Sequence, residues 1–227
     1  MKTHFILISP TNPGNIGAAA RAIKTMGFSS LRFVSPVNHL DEMSLKLAYG
    51  SHDILKSASF FESLEDALVD IDFSIATTAK KRTKFYDYFN PEDARVLIES
   101  KSLSNLAIVF GREDRGLEDY EIQQCDIIST IDLAQDYPSI NLAQCIMIYA
   151  YIFNQIKPSK QPVPQAEANE QKILKIRMIE VLDELEISKR ENLKRRMVER
   201  AMQANQDDTH LLLSFHRYLV RKFKQLS

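Results

Sequence analysis

The sequence predicts an α/β fold, in which a parallel sheet carries helices on both faces, followed by a small all-helical extension. Up to about residue 156, short β-rich runs alternate with helical patterns. The stretch "KPSKQPVPQ" then interrupts this pattern with three prolines and no apolar run. Beyond it, the apolar spacing is helical throughout. We therefore expect an α/β domain over 1–156, a Pro-rich linker over 157–165 and a helical extension over 166–227.

The elements of the α/β part follow in strict alternation along the chain. Runs rich in β-branched and aromatic residues predict the strands "HFILIS", "LRFV", "DFSIATT", "LAIVF" and "IISTI". Helical patterns fall between and after them: from Gly17, around 43–49, after Pro91, after Leu117 and over "INLAQCIMIYAYIF". A strand, helix, strand order of this kind is typical of parallel sheets, whose ligands bind at the carboxyl ends of the strands.

Two amphipathic helices are predicted in the extension. Apolar residues of the first fall at spacings of 4, 3 and 4, and those of the second at 3, 4 and 4, with Asp208 or Thr209 as its N-cap. They are, in order, Leu174, Met178, Val181 and Leu185, then Leu212, Phe215, Leu219 and Phe223.

Composition limits the class of protein. The chain has 227 residues, of which 44% are hydrophobic and 26% charged, which suits one α/β core with a small appendage. Its apolar runs are too short to cross a bilayer and it begins without a secretory pattern, so we expect a cytoplasmic protein without a membrane partner. Cys125 and Cys145 show neither metal-ligand spacing nor a CxxC pair, which indicates packing residues and no metal.

Charge is unevenly distributed along the chain. The formal net charge is only -1, but the extension contains more Lys and Arg than Asp and Glu, concentrated in "KRENLKRRMVERA". Such a segment suits RNA binding, although charge alone favours an ordinary solvated helix face equally well.

The turn "NPGNIGAAAR" follows the first strand. Its spacing is G-x-x-G without a third glycine, and it lacks the lysine and hydroxyl of a phosphate loop, so neither a dinucleotide fingerprint nor a Walker motif is present. Ala18, Ala19 and Ala20 allow close helix packing, and a simple packing turn is the alternative reading. Arg21, one turn further along, favours a site, because its guanidinium can bind phosphate or sugar oxygens.

Two further polar turns follow later strands. "VFGREDRGL" surrounds a charged turn with Gly111 and Gly116 and offers the carboxylate of Glu113. "YPSINLAQ" presents Ser139 and Asn141 at a helix start, where N-capping alone would also explain them. Because the three turns all follow parallel strands, we expect them at one edge of the sheet, as a binding site.

Taken together, these three motifs, in this order and spacing, resemble the signature motifs of the SpoU/TrmH class of SPOUT RNA 2′-O-ribose methyltransferases. The resemblance covers about 5–153, and the basic helical extension is similar to the TrmJ branch of that class, which methylates nucleotide 32 of the tRNA anticodon loop. One departure is Asp119, where many relatives carry Asn; Leu117 and Glu121 stand as expected.

The resemblance implies a C-terminal trefoil knot in the α/β part, S-adenosylmethionine as cofactor, tRNA as partner and a homodimer. Arg21 would bind the neighbouring phosphate and stabilise the developing alkoxide; because arginine stays protonated at neutral pH, we prefer this role to that of general base. Asn15, Ser139 and Asn141 would orient the sugar, and Glu113 would hold the loops or Arg21 in register. The cofactor would lie against Thr77, Thr78, Ala79, Gly111, Arg112, Glu113, Gly116, Leu117, Ile131, Pro138, Ser139 and Ile140.

RNA phosphates would bind two basic segments, "AKKRTK" and the middle of the extension. Their residues are Lys80, Lys81, Arg82, Lys84, Arg190, Lys194, Arg195, Arg196 and Arg200. The apolar helix over 142–153 suits a subunit interface or a buried position equally on its composition. Alternatives to a tRNA enzyme are a 2′-O-methyltransferase for rRNA or another tRNA position, a non-catalytic RNA-binding protein of the same fold, and an α/β enzyme for a small nucleotide.

Overall fold

A computed structural model describes residues 1–79, 87–134, 140–156, 169–185 and 191–226. Its strands are β1 (Lys2–Ile8), β2 (Ser30–Val34), β3 (Ser59–Phe61), β4 (Phe73–Thr78), β5 (Tyr88–Phe89), β6 (Asn105–Phe110) and β7 (Ile127–Thr130). Its helices are α1 (Pro13–Thr25), α2 (Glu42–Leu47), α3 (His52–Lys56), α4 (Leu64–Ala67), α5 (Pro91–Glu99), α6 (Asp119–Gln124), α7 (Leu142–Phe153), α8 (Glu170–Glu184), α9 (Glu191–Met202) and α10 (Gln206–Leu226).

The seven strands form one sheet in the order β3-β2-β1-β6-β4-β7-β5, and every pairing among them is parallel. β1 lies near the centre, with His4 opposite Ser30 of β2 and Ala107 of β6. This confirms the predicted parallel α/β fold. The short edge strands β3 and β5 were not predicted, because strands of three and two residues leave almost no periodic signal.

Both faces of the sheet are covered. Side chains alternate along a strand, so Phe5 and Leu7 of β1 join one apolar cluster with α1 and α7, whereas Ile6 and Ile8 join a second cluster on the opposite face. All four side chains are at most 1% exposed. Parallel strands that are buried on both faces read as continuous apolar runs, as in "FILI".

Helix α1 packs closely because of its small residues. Asn12 caps it by accepting from the amides of Gly14 and Asn15, and Pro13 occupies its first turn. A Cβ on Gly17 would lie 2.1 Å from the carbonyl oxygen of Ser44, so only glycine lets α2 approach this near. The Ser44 hydroxyl in turn donates to the Pro13 carbonyl.

The extension packs against the α/β part. Leu174 of α8 and Ala201 and Met202 of α9 belong to the first apolar cluster. Across this boundary, the Lys175 ammonium binds the Asp126 carboxylate at 2.7 Å, and Lys101 donates to the carbonyl of Ala204.

Two apolar positions of the predicted helical stripes differ from expectation. Leu185 is 48% and Phe215 is 58% exposed, so neither belongs to the packed face. In α10 the predicted Leu212 does contact the first cluster, and Leu213, which was not predicted, contacts it as well. The predicted linker falls within 157–168, outside the described residues.

The trefoil knot remains a prediction of the resemblance, because 80–86 and 135–139 also lie outside the described residues. Before residues 135–139, β7 lies between β4 and β5 in the sheet. After them, α7 packs against α1. Among the described helices, none is both long and apolar enough to cross a membrane.

Candidate functional site

The turns after β1 and β6 meet at the carboxyl edge of the sheet through the carboxylate of Glu113. One oxygen accepts hydrogen bonds from the backbone and hydroxyl of Thr11, both at 3.0 Å. The other accepts from the Asn12 amide and from Asn15 Nδ2, both at 3.1 Å. A single carboxylate therefore joins the first and second motifs.

The third motif is attached to the first by two asparagine side chains. Asn141 Nδ2 donates to Asn15 Oδ1 at 2.8 Å, and Asn141 Oδ1 caps α7 by accepting from the amides of Ala143 and Gln144. Capping and bridging thus use opposite ends of one amide group. The path from Glu113 through Asn15 to Asn141 brings together three sequence motifs, of which the first lies 98 residues from Glu113 and 126 residues from Asn141 along the chain.

These hydrogen bonds keep Glu113 ionised. Burial alone would raise the pKa of its carboxyl, but the hydrogen bonds donated by Thr11, Asn15 and Asn12 outweigh it and hold the pKa below its usual value. The loops are therefore held by a charged acceptor, whose hydrogen bonds are stronger than those of a neutral one.

Arg21 lies on the outer face of α1. Asn15, Ala18 and Arg21 follow one another at three-residue spacing, so each lies beside the next on the helix surface, and Arg21 lies about 9 Å along the axis from Asn15. Its side chain is exposed, and among the described residues no carboxylate pairs with it. The guanidinium is free to receive an anion beside the meeting point of the motifs.

The second motif forms a tight turn that only glycine permits. A Cβ on Gly111 would lie 2.1 Å from the carbonyl carbon of Gly116. Gly116 adopts a φ of 71°, in the left-handed region. Arg112 and Gly116 exchange two backbone hydrogen bonds of 2.9 and 3.2 Å across the turn.

Arg112 holds the base of this turn rather than reaching into solvent. Its guanidinium makes two 3.0 Å hydrogen bonds to Glu121, whose side chain is only 3% exposed. The carboxylate of Glu121 raises the pKa of Arg112 and also accepts from the Glu118 amide at the start of α6. Glu121 was recognised as part of the second motif but was not assigned to the site; its burial beside the turn is a signal that only the fold reveals.

A cleft of about 370 Å³ opens beside the turn, between the ends of β4, β6 and β7 and the start of α7. Sites for small ligands are clefts of this size, largely apolar with a few polar groups. It is lined by Thr77, Thr78, Ala79, Phe110, Gly111, Arg112, Glu113, Asp114, Arg115, Gly116, Ile131, Leu133, Ile140, Leu142, Cys145 and Tyr149.

Most residues predicted to hold a cofactor line this cleft. Leu117 does not: its side chain is 1% exposed and belongs to the second apolar cluster. Pro138 and Ser139 lie outside the described residues. Sequence reasoning missed the apolar wall formed by Phe110, Leu133, Leu142 and Tyr149, because three of them continue an ordinary strand or helix pattern and Leu133 stands alone in the segment after β7.

Tyr149 and Cys145 form the floor of the cleft. The Tyr149 hydroxyl donates to Ser129 at 2.8 Å, and burial raises its pKa. Burial also raises the pKa of Cys145 to about 12 and that of Cys125 likewise to about 12, so both thiols stay protonated. Across the described ranges, no group of three His, Cys, Asp or Glu side chains is arranged to hold a metal ion.

The predicted RNA-binding residues of α9 are largely engaged within the chain. Lys194 pairs with Asp183, Arg195 with Glu199 and Arg200 with Asp87. Arg196 is exposed. The remaining basic residues, Lys80, Lys81, Arg82, Lys84 and Arg190, lie outside the described residues.

Comparison with known proteins agrees with this geometry. Residues 2–151 match the model of the SpoU rRNA Methylase family. The uncharacterized tRNA/rRNA methyltransferase LasT of Escherichia coli (strain K12) is 44% identical over 153 residues, which are 66% of this chain and 67% of that protein. The tRNA (cytidine/uridine-2′-O-)-methyltransferase TrmJ of Sodalis glossinidius (strain morsitans) is 35% identical over 148 residues, 65% of this chain and 58% of that protein.

A solved structure extends the likeness to the C-terminal helices. The crystal structure of TrmJ from Z. mobilis ZM4 superposes with a TM-score of 0.69 at 26% identity, covering 96% of this chain and 99% of that one. The resemblance predicted from the three motifs is thereby confirmed. The match of residues 2–151 to the family model establishes that this chain belongs to the SpoU rRNA Methylase family.

Proposed function

We propose that this chain is an S-adenosylmethionine-dependent enzyme that methylates a ribose 2′-hydroxyl of tRNA, at nucleotide 32 of the anticodon loop. The observation that carries the proposal is the meeting of Glu113, Asn15 and Asn141, which fixes three loops beside one cleft. Support for tRNA as substrate comes from the similarity to TrmJ proteins.

The cleft suits a bent adenosyl sulfonium. Its walls offer Thr77 and Thr78 for polar groups, the open backbone around Gly111 for close approach, and Ile131, Ile140 and Leu142 for an apolar ring. Bound there, S-adenosylmethionine supplies a methyl group carried on a sulfonium. The proposed contact of Leu117 is through its backbone, because its side chain is buried in the second apolar cluster; the contacts of Pro138 and Ser139 stay predictions of the resemblance.

The chain's own residues position the acceptor. Arg21 binds the phosphate next to the target ribose and stabilises negative charge on the 2′-oxygen as its proton leaves for solvent or a neighbouring group. Asn15 and Asn141 restrict the sugar from the loop side, together with Ser139. Holding the acceptor in line accounts for a large part of the rate in such a transfer.

Assembly and location are parts of the same proposal. The chain acts as a cytoplasmic homodimer with a knotted α/β part, and α7 contributes to the interface through its outward side, where Tyr151 is 59% exposed. The helical extension over 166–227, reached through the linker over 157–165, captures the substrate.

Incubation with methyl-labelled S-adenosylmethionine and total tRNA tests the proposal. We expect label in tRNA, at a site that resists alkaline hydrolysis because a 2′-O-methyl group blocks attack on the phosphate. Cofactor binding without transfer would indicate a non-catalytic RNA-binding protein, and equal turnover without RNA would indicate an enzyme for small nucleotides.

A ribose methyltransferase for rRNA or another tRNA position is the second candidate. It is favoured by the 44% identity to a protein named as a tRNA/rRNA methyltransferase. Mapping the alkali-resistant nucleotide in total RNA separates the two, since the rRNA reading predicts label in ribosomal rather than transfer RNA.

A further inference from the structure

The outward face of α10 carries large apolar side chains that the fold leaves in solvent. Leu211 is 67%, Phe215 58% and Tyr218 70% exposed. With Lys222 they follow spacings of 4, 3 and 4, so they form one stripe along the helix. The opposite side of α10 is the one that packs, through Leu212 and Leu213. Folding of the chain therefore does not explain the exposed rings.

This stripe is bordered by positive charge. From Thr209 to the last residue, the sequence contains no Asp or Glu. Arg217, Arg221 and Lys222 are exposed, and in the part of the chain that the structure describes no carboxylate pairs with any of them. Arg217 donates only to the hydroxyl of Ser214, one turn earlier.

The contrast with α9 is informative. There, Lys194, Arg195 and Arg200 each pair with an acid of the same chain, and of the described basic residues of α9 only the exposed Arg196 lies outside these pairs. The helix selected by its density of basic residues is thus the less suitable surface for an anion, and α10, which has the same number of Lys and Arg residues over a longer span, keeps three of them available.

We propose that the outward face of α10, defined by Leu211, Phe215, Tyr218, Arg217, Arg221 and Lys222, binds a single-stranded segment of RNA. Unpaired bases stack on Phe215 and Tyr218, while the cations contact the phosphates beside them; exposed rings flanked by Arg and Lys are the chemistry that single strands require. That this RNA is also the methyl acceptor rests on the proposed function.

The positive charge of this face of α10 argues against a second copy of the chain as its binding partner. In a two-fold contact the same surface meets itself, so two α10 stripes would bring six cations together with no acid between them. A polyanion meets the same surface with complementary charge.

The test compares the full-length double variant F215A/Y218A with wild type. We expect its affinity for a labelled anticodon stem-loop and for oligouridine to fall at least about tenfold, with S-adenosylmethionine binding and thermal unfolding unchanged. F215Y and Y218F, which keep the rings, should bind normally. I176A, at a 48% exposed apolar residue of the neighbouring helix α8, is the matched control.

The cations have a separate readout. R221Q/K222Q should reduce the slope of log affinity against log salt by about one for each lost phosphate contact, while leaving stacking intact. In methyl transfer, the ring variants should raise KM for RNA and leave kcat unaltered.

Unchanged RNA affinity in F215A/Y218A would overturn the proposal. So would a dimer that dissociates in this variant while each protomer binds RNA as before, because the stripe would then be a contact between copies. If wild type binds RNA through these rings but transfers no methyl group to it, the proposed function is wrong, and the proposal that this face of α10 binds RNA is still supported.

Discussion

At the scale of single residues, Glu113 does more than its place in a charged turn suggests. Its two oxygens accept four hydrogen bonds, three from the loop that follows β1 and one from Asn15 in the first turn of α1. One of these donors, Asn15, also accepts from Asn141. The position of the third loop therefore depends on the second through the first, and a change at Glu113 should affect all three.

We predict that Glu113→Gln lowers both stability and methyl transfer. The new amide turns a donor toward groups that themselves donate, which removes at least one hydrogen bond to a charged acceptor and costs about 1 kcal/mol at this largely exposed position. Urea unfolding measures this loss, and Glu62→Gln, at an exposed carboxylate, should change nothing.

The pH dependence of this loss has a definite sign. The pKa of Glu113 is lowered on folding from its ordinary value of 4.5, so its stabilising contribution is complete above that pH and is lost as pH falls through the folded pKa. The difference in unfolding free energy between wild type and Glu113→Gln should therefore shrink below pH 4.5. A constant difference in unfolding free energy down to pH 3 would contradict an ionised Glu113 carboxylate in the folded protein.

Arg21 gives a prediction of the opposite kind, with activity lost and stability kept. Its side chain is exposed, so Arg21→Ala should not alter unfolding or S-adenosylmethionine binding. Transfer should fall by two orders of magnitude or more, as when one charged stabilising group is removed. Labelled transfer to tRNA measures this.

Arg21→Lys sharpens the result, since lysine keeps the charge but not the planar fork. Partial recovery of methyl transfer would indicate that the positive charge is sufficient, and no recovery would indicate that two parallel hydrogen bonds from the guanidinium are required. Near-normal turnover in Arg21→Ala would contradict the role given to this residue.

At the scale of elements, the turn after β6 is fixed by the absence of a side chain at Gly111. A Cβ there would lie 2.1 Å from Gly116 and 2.2 Å from the amide of Leu117, and both are backbone atoms that cannot turn aside. Gly111→Ala should therefore open the turn and displace the wall of the cleft.

Gly27→Ala is the matched control for that substitution. Gly27 has a φ of 81° with no atom near the position of a Cβ, so alanine there costs only conformational strain, about 1 kcal/mol. We predict that Gly111→Ala loses S-adenosylmethionine binding by calorimetry and that Gly27→Ala retains it. Equal binding by both would show that the turn tolerates expansion.

The elements also show where sequence reasoning stops. The parallel sheet and the meeting of the motifs follow from strand order, because turns after parallel strands share an edge. Phe215 was assigned to a packed stripe by spacing alone, but it is exposed, whereas Leu212 of the same stripe and Leu213 beside it pack against the first cluster. The ion pairs that engage Lys194 and Arg200 join residues whose proximity the local sequence does not encode.

At the scale of the whole molecule, the extension is held to the α/β part by buried polar contacts as well as apolar ones. Asp126 accepts from both the amide and the hydroxyl of Ser74 and pairs with Lys175 of α8. Gln171, fully buried, donates to Thr209 at 2.7 Å. Buried polar groups require fixed partners, so these contacts define one orientation for α8 and α10.

Lys101 is the cation most deeply involved in this boundary, and it yields the last prediction. Burial lowers its pKa from 10.5 to about 8, although Asp126 opposes the change. The ammonium lies 5.0 Å from the centre of the Phe73 ring and donates to the carbonyl of Ala204. Between pH 8 and 10.5 the unfolded chain keeps a proton that the folded chain has released, so the contribution of Lys101 to stability rises with pH in that window.

Lys101→Met has no such proton, and the unfolding free energy of wild type should therefore increase relative to this variant from pH 8 to 10. Lys172→Met, at an exposed lysine that donates to Val69 across the same boundary, should show no such trend. Parallel pH profiles for wild type and Lys101→Met would mean that Lys101 remains charged and solvated, and that the extension is not held by a buried lysine.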